Sequence, residues 1–195
     1  IFLPKIKENP YFTNPKIQFP LDSSEEQRLD SLEESVFEEI KDHAEKYPDT
    51  IAGIIIEPIQ GEGGDNHFRP QFIRGLRDVT NEIGAMLIFD EVQTGVGATG
   101  KMWAHQHADV KPDIIAFGKK MQICGIMASN SAKQFEDNPF VTSSRINSTW
   151  GGNLIDMYRS ARQLEVIKRD NLVDNAGKRG FELIGGLNDG QIIYT

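Results

Sequence analysis

Short apolar runs recur along the chain, and each has the length of a β-strand. Between them, apolar residues lie three or four positions apart, as on one face of a helix. The first run has no polar alternation, so we expect a strand that is covered on both faces of a parallel sheet. Strands that alternate with helices indicate an α/β fold with a mostly parallel sheet. The predicted strands cover residues 51–56, 86–90, 113–118 and 125–129.

The helical pattern begins after a proline-rich opening. Prolines and aromatic residues over residues 1–22 predict an extended connector that is anchored by its aromatic side chains. Overlapping capping boxes at Ser23 and Ser24 predict the start of an amphipathic helix, which Pro48 ends, and we expect its acidic residues to form a solvated face. Further helices are predicted to begin near residues 70, 101 and 154.

The composition narrows the partners that this fold can have. A formal net charge of -8 argues against nucleic acid or an anionic membrane as a partner, since both require basic surfaces. No apolar run is long enough to span a bilayer. A single cysteine and the lack of a signal peptide favour a reducing, cytoplasmic compartment. Because the chain starts without methionine and stops in a strand-like run, we expect it to be a piece of a longer protein.

A glycine-rich segment imitates a nucleotide-binding loop. Residues 95–101 match the pattern G-x-x-x-x-G-K, but Met102 stands where magnesium needs a Ser or Thr hydroxyl. The acidic pair Asp90-Glu91 resembles the metal-binding pair of the same proteins, yet it lies directly before the loop instead of on a distant strand. We therefore interpret the match as accidental and the segment as a connector.

Two other candidate sites lack the required arrangement. His105 and His107 are separated by about 200° around a helix, which argues against joint metal binding, and we expect no metal. Cys124, between Ile123 and Gly125, is interpreted as a small packing residue and not as a reactive thiolate.

Asp90 and Lys119 each follow an apolar run, at the carboxyl end of a predicted strand. In an open α/β sheet these ends share one edge, where ligands bind. Val92 can cover an aromatic ring, and Gln93 can donate to a ring hydroxyl. Residues 147–152 (NSTWGG) supply hydroxyls and bare backbone for a phosphate. A carboxylate, an amine and a hydroxyl-rich loop are the protein's share of pyridoxal-phosphate chemistry.

The same residues carry a resemblance to a known family. Residues 87–95 (LIFDEVQTG) and 112–120 (PDIIAFGKK) resemble the signature of the class III, or omega, pyridoxal-phosphate aminotransferases. Residues 57–65 (EPIQGEGGD) and 147–152 extend the similarity, which covers about residues 5–189. It implies a transaminase with the type I fold of pyridoxal-phosphate enzymes, in which helices cover both faces of the sheet and the cofactor lies at a homodimer interface.

The resemblance implies a division of the chain into three parts. Residues 1–22 would be the extended connector, and residues 23–152 would be part of the large cofactor-binding domain. Residues 153–195 would be helices that lead into an incomplete small C-terminal α+β domain. The main phosphate-binding loop and a substrate-binding arginine are expected in segments that this chain does not contain, so we expect the chain to be inactive alone.

The family places its covalent lysine directly after a small residue, here Gly118. Lys119, and not Lys120, would therefore bind the cofactor and later shuttle the proton between the substrate carbon and the cofactor. Asp90 would pair with the pyridine nitrogen and keep it protonated.

The remaining implied contacts come from three side chains and the neighbours of one of them. Val92 would pack on the ring, and Gln93 would hydrogen-bond its phenolic oxygen. Thr149, with Ser148 or Asn147 beside it, would reach the phosphate of the partner subunit.

Within the family, the motifs most resemble the members that move the terminal amino group of L-lysine to 2-oxoglutarate. Aminotransferases of 4-aminobutyrate come next. Glu62 matches the glutamate that lets one pocket take both substrates, and Asn147 is a second candidate for substrate contact. A catalytically silent scaffold that kept the fold is the remaining alternative.

Overall fold

The computed structural model describes residues 12–134, 136, 138–143, 145, 149 and 151–189. Helices and strands are interspersed as far as residue 128, and two helices follow over residues 154–169 and 172–189. The helices are α1 (Ser23–Lys46), α2 (Pro70–Glu82), α3 (Leu154–Arg169) and α4 (Leu172–Asp189). The strands are β1 (Gly53–Ile56), β2 (Ile59–Gln60), β3 (Asn66–His67), β4 (Met86–Asp90), β5 (Ile114–Phe117) and β6 (Gly125–Ala128).

Four of the strands form one sheet in the order β1-β4-β5-β6. The pairs β1–β4 and β4–β5 are parallel, and β5–β6 is antiparallel. The predicted α/β fold with a mostly parallel sheet is therefore confirmed. Strands β2 and β3 form a separate antiparallel hairpin, which the sequence did not predict. The predicted helix near residue 101 is a single 3-10 turn at Ala104–His107.

Helix α1 has a different cap from the predicted one. Asp22 is its N-cap, and its carboxylate accepts the main-chain N–H groups of Ser24 and Glu25 at 3.0 and 2.9 Å. The predicted capping boxes at Ser23 and Ser24 are therefore wrong, because the aspartate just before them already occupies the capping position. The helix ends at Lys46, shortly before Pro48, as predicted.

The hydrophobic core lies between α1, α2 and the sheet. Phe89 and Leu87 of β4 are fully buried there, and Phe72 of α2 stacks on Phe37 of α1 with ring centroids 5.5 Å apart. The helix spacing places these apolar residues on the faces that meet the sheet. The buried core residues are Val36, Ile40, Phe72, Ile73, Leu76, Val79, Leu87, Phe89, Ala108 and Val110.

A buried ion pair ties α1 to the start of α2. Arg69 is 6% exposed, and its guanidinium donates to both oxygens of Glu33 at 2.8 Å. A second bond reaches Asp30 at 2.7 Å. The prediction that the acidic residues of α1 are solvated is wrong for Glu33 and for Glu25, since both are buried and paired with arginines.

The other face of the sheet is more open. Ile54 and Ile56 pack against the core, whereas Ile55, which alternates with them, is 66% exposed. The prediction that β1 is covered on both faces is therefore wrong at Ile55. By the same alternation, Asp90 leaves β4 on the face opposite Phe89. None of the described helices is both long and apolar enough to cross a membrane.

Candidate active site

The carboxyl ends of β4 and β5 lie side by side. Asp90, the last residue of β4, is in register with Ala116 of β5. The residue that follows β4, Glu91, donates its main-chain N–H to the Ala116 carbonyl at 2.9 Å. The Asp90 carboxylate accepts the N–H of Val92 at 3.0 Å and so folds back over the start of the following turn. The turn that carries Lys119 begins directly after β5, so both charged residues lie at one edge of the sheet.

Two consecutive lysines converge on Gln93. Lys119 opens a single 3-10 turn at φ 43°, and its Nζ donates to the Gln93 side-chain oxygen at 2.5 Å. Lys120 Nζ donates to the main-chain carbonyl of the same residue. Burial lowers the pKa of Lys120, the positive charge of Lys119 lowers it further, and the carboxylate of Glu91 partly opposes this. Gln93 therefore holds both amines at the end of β5.

Two glycines let other segments approach this cluster. A Cβ on Gly118 would lie 2.9 Å from Cys124 Sγ and 3.3 Å from a Val92 methyl group. A Cβ on Gly61 would lie 2.3 Å from the Gln93 amide nitrogen. The bare backbone at these two positions lets Val92 lie beside the residue that precedes Lys119, and lets the β2–β3 turn reach Gln93. Cys124 is exposed and its Sγ lies against Gly118, so its interpretation as a packing residue stays a prediction.

Glu91 is the residue of this region that the sequence did not reveal. Its carboxylate is fully buried and accepts hydrogen bonds from Thr94, Ala104 and His105. Burial pushes the pKa of Glu91 up, but the hydrogen bonds from His105, Ala104 and Thr94 outweigh this and leave the pKa below its usual range. The one signal in the sequence was the unexplained second carboxylate after Asp90.

The glycine-rich connector, residues 95–101, packs against helix α4. The N–H groups of Gly95, Gly97 and Gly100 already donate to main-chain carbonyls of the protein at 2.9 to 3.1 Å. A Cβ on Gly100 would lie 2.8 Å from the Cα of Gly177 in α4. These glycines permit backbone contact with a helix, and their N–H groups are not available to cradle a phosphate.

The histidines near this connector have separate partners. His105 Nδ1 lies 2.8 Å from Glu91, and His107 Nε2 lies 3.1 Å from the hydroxyl and the carbonyl of Thr99. Within the part of the chain that the structure describes, no three His, Cys, Asp or Glu side chains are grouped so that they could hold a metal ion.

The other predicted site residues are only partly placed. Glu62 is exposed in the turn between β2 and β3. Thr149 is exposed as well, and Asn147 and Ser148 lie outside the described residues. The structure therefore brings together Asp90, Val92, Gln93 and Lys119, while the roles predicted for these and the remaining residues stay predictions.

Comparison with known proteins gives one consistent family. The class III aminotransferase family matches residues 5–194. The L-lysine-epsilon aminotransferase of Mycobacterium tuberculosis is 47% identical over 182 residues, which are 92% of this chain and 40% of that protein. The human mitochondrial 4-aminobutyrate aminotransferase is 39% identical over 186 residues, or 92% of this chain and 36% of that protein.

A solved structure shares the fold. The lysine aminotransferase of M. tuberculosis in its internal aldimine form superposes with a TM-score of 0.83 at 46% identity, over 90% of this chain and 40% of that one. The chain thus spans about 40% of the length of the lysine aminotransferases it matches. Its sequence and its fold place it in the class III aminotransferase family.

Proposed function

We propose that the complete protein containing this chain is a pyridoxal-phosphate-dependent aminotransferase that moves the terminal amino group of L-lysine to 2-oxoglutarate. The observation that carries the proposal is the convergence of Lys119 and Gln93 beside Asp90, in a chain that is 47% identical to an L-lysine-epsilon aminotransferase. The chemistry of these side chains and the similarity to that enzyme point the same way.

The residues at the strand ends fit the cofactor. Pyridoxal phosphate supplies an aldehyde and an electron-accepting ring. Lys119 offers an exposed primary amine whose partner is a neutral amide, so an aldehyde can reach it without breaking an ion pair. Asp90 offers a carboxylate on the same edge, and Val92 offers an apolar surface next to Gly118.

Each side chain then has a defined task. With pyridoxal phosphate bound, Asp90 would accept the N–H of the protonated pyridine nitrogen and favour that charged form. Gln93 would bond the ring's phenolic oxygen. Lys119 Nζ would carry the proton between the substrate carbon that bears the amine and the cofactor. These roles require side chains that are held within hydrogen-bond reach of the cofactor. The hydrogen bond between Lys119 and Gln93 holds two of them together.

The partners of the site are part of the proposal. The amino donor and 2-oxoglutarate are the small-molecule partners, and Glu62 and Asn147 are the residues proposed to contact them. A homodimer is proposed, in which Thr149, with Ser148 or Asn147, binds the phosphate of the partner subunit. We propose a cytoplasmic location, and a chain that divides into the connector, the large-domain portion and the C-terminal helices described above.

The second candidate is transfer from 4-aminobutyrate, which the 39% identity to the human enzyme favours. The test uses the complete polypeptide with pyridoxal phosphate and 2-oxoglutarate, and follows glutamate formation with L-lysine or 4-aminobutyrate as the only donor. Faster glutamate formation with L-lysine supports the proposal. If only 4-aminobutyrate gives glutamate, the result supports the second candidate. If neither donor gives glutamate, both candidates are contradicted.

A further inference from the structure

Glu91 is a buried carboxylate at the end of β4 that the proposed chemistry does not use. Four donors satisfy it: the Thr94 hydroxyl at 2.8 Å, the Ala104 N–H at 2.7 Å, and the N–H and ring Nδ1 of His105 at 2.8 Å each. A fully buried carboxylate is costly unless its oxygens are paired in this way. These four hydrogen bonds hold the Glu91 side chain in one position.

The main chain of Glu91 is fixed as well. Its N–H donates to the Ala116 carbonyl of β5 at 2.9 Å, and its carbonyl accepts from Gly95 at 2.9 Å. Glu91 thus ties together β5, the turn of residues 92–95 and the 3-10 helix at Ala104–His107. Because side chains alternate along an extended strand, the inward direction of Glu91 turns Asp90 the other way, toward the ligand edge.

We propose that Glu91 and His105 form a positioning pair, which holds Asp90 and the turn of residues 92–95 so that Asp90 and Gln93 are oriented for the cofactor. The part that concerns the cofactor rests on the proposed function, whereas the part that concerns the turn stands on the contacts of this chain. Neither residue touches the reacting atoms in this proposal. They act through the residues on each side of Glu91.

His105 allows the pair to be tested with little change of shape. Its ring stacks on Phe89, with centroids 5.7 Å apart and planes 26° apart, while Nδ1 donates to Glu91. His105→Phe keeps an aromatic ring beside Phe89 and removes the donor. His105→Asn keeps a side-chain N–H close to the position of Nδ1 and removes the ring. His107→Phe is the matched control, since His107 is exposed and its ring bonds Thr99, away from Glu91.

The experiment measures two quantities on the complete polypeptide. The first is hydrogen exchange of the amides of residues 92–95 without cofactor. The second is the dissociation constant of pyridoxal phosphate, followed by its visible absorbance. In His105→Phe we expect exchange in this turn to be about tenfold faster and the dissociation constant about tenfold higher. His105→Asn and His107→Phe should stay within about twofold of the parent.

Three results would overturn the proposal. His105→Asn could raise amide exchange and the dissociation constant as much as His105→Phe does, which would assign the effect to the packing of the ring. Exchange could rise equally throughout the chain, which would indicate general destabilisation. Both quantities could also stay unchanged in His105→Phe. If His105→Phe does not fold, Thr94→Val decides, since it removes one donor to Glu91 with little change of volume and should shift both quantities in the same direction.

The two proposals fail in different ways. A parent protein that binds no pyridoxal phosphate contradicts the proposed function, and the exchange of residues 92–95 then decides the positioning role alone. A parent that binds the cofactor normally, with unchanged exchange and affinity in His105→Phe, contradicts only the positioning pair.

Discussion

Two regions of the molecule differ in how their charged side chains are paired. One is the layer formed by α1 and α2, and the other is the strand-end cluster of Asp90, Val92, Gln93, Lys119 and Lys120. In the layer, Arg69 is buried and bonded to both oxygens of Glu33, so its charge is neutralised inside the fold. At the strand ends, Lys119 and Lys120 are exposed and share one neutral partner, Gln93. Removing one member of a buried ion pair is costly, because the other charge stays buried. An exposed amine that is bonded to a neutral amide, as Lys119 is, remains available for reaction.

The largest expected effect is on the chemistry, with little effect on stability. Lys119→Ala in the complete polypeptide should lower the transamination rate by about 10³-fold or more, because the amine that moves the proton is lost. Thermal unfolding should shift little, since the Lys119 side chain is exposed. Initial rates and a melting curve, beside the exposed control Lys111→Ala, measure both. A rate close to that of the parent would contradict the role of Lys119.

The second effect is expected on stability, because the substitution lies in the α1–α2 layer. Arg69→Met leaves Glu33 buried without its partner, which should lower the free energy of unfolding by about 3 kcal/mol. Lys41→Met breaks an exposed pair with Glu82 and should leave the free energy of unfolding almost unchanged. Urea unfolding of both variants gives the comparison. Equal losses would show that burial does not distinguish the two ion pairs.

A third effect should appear at the cluster alone. Gly61→Ala places a Cβ about where the Gln93 amide now lies, 2.3 Å from its nitrogen, so the amide must move. We expect cofactor affinity to fall about threefold to tenfold with little change in the free energy of unfolding, because a flexible side chain can shift at small cost. Gly180→Ala is the control, since a Cβ there meets nothing within 4 Å. Unchanged affinity in Gly61→Ala would show that Gln93 need not stay in place.

The smallest effect is expected on the loss of stability at acidic pH. The hydrogen bond from Arg28 lowers the pKa of Glu25 to about 2, from an ordinary value of 4.5. Because the folded-state pKa is the lower one, this stabilisation is complete above the ordinary value and is lost as the pH falls toward about 2. Glu25→Gln should therefore show a smaller drop in its urea midpoint between about pH 5 and about pH 2 than the parent. An identical drop in both would remove Glu25 from the acid response.

Much of the fold was predictable from local patterns. The apolar runs located β1, β4, β5 and β6 to within two residues, because the strands of a mostly parallel sheet are rich in apolar residues. The β2–β3 hairpin was not predictable, because two-residue strands leave no periodic pattern. The exposure of Ile55 was missed for a related reason, since an apolar run does not show which of its residues a neighbouring element covers.

The candidate site was predictable where chain topology alone decides. Asp90 and Lys119 lie at one edge because parallel neighbouring strands end on the same side. The pairing of Glu91 with His105 joins residues 14 positions apart, and that of Arg69 with Glu33 joins residues 36 apart. In each pair the two residues lie in different segments of the chain, so no local pattern joins them and only the assembled fold reveals the contact.

The most direct test of the proposed chemistry is to identify the amine that binds the cofactor. The complete polypeptide is incubated with pyridoxal phosphate, reduced with borohydride and digested, and the modified peptide is sequenced by mass spectrometry. We expect a stable cofactor adduct on Lys119, which disappears in Lys119→Ala while Lys120 remains unmodified. An adduct on Lys120, or no adduct on either lysine, would contradict the assignment of this strand-end cluster as the cofactor site.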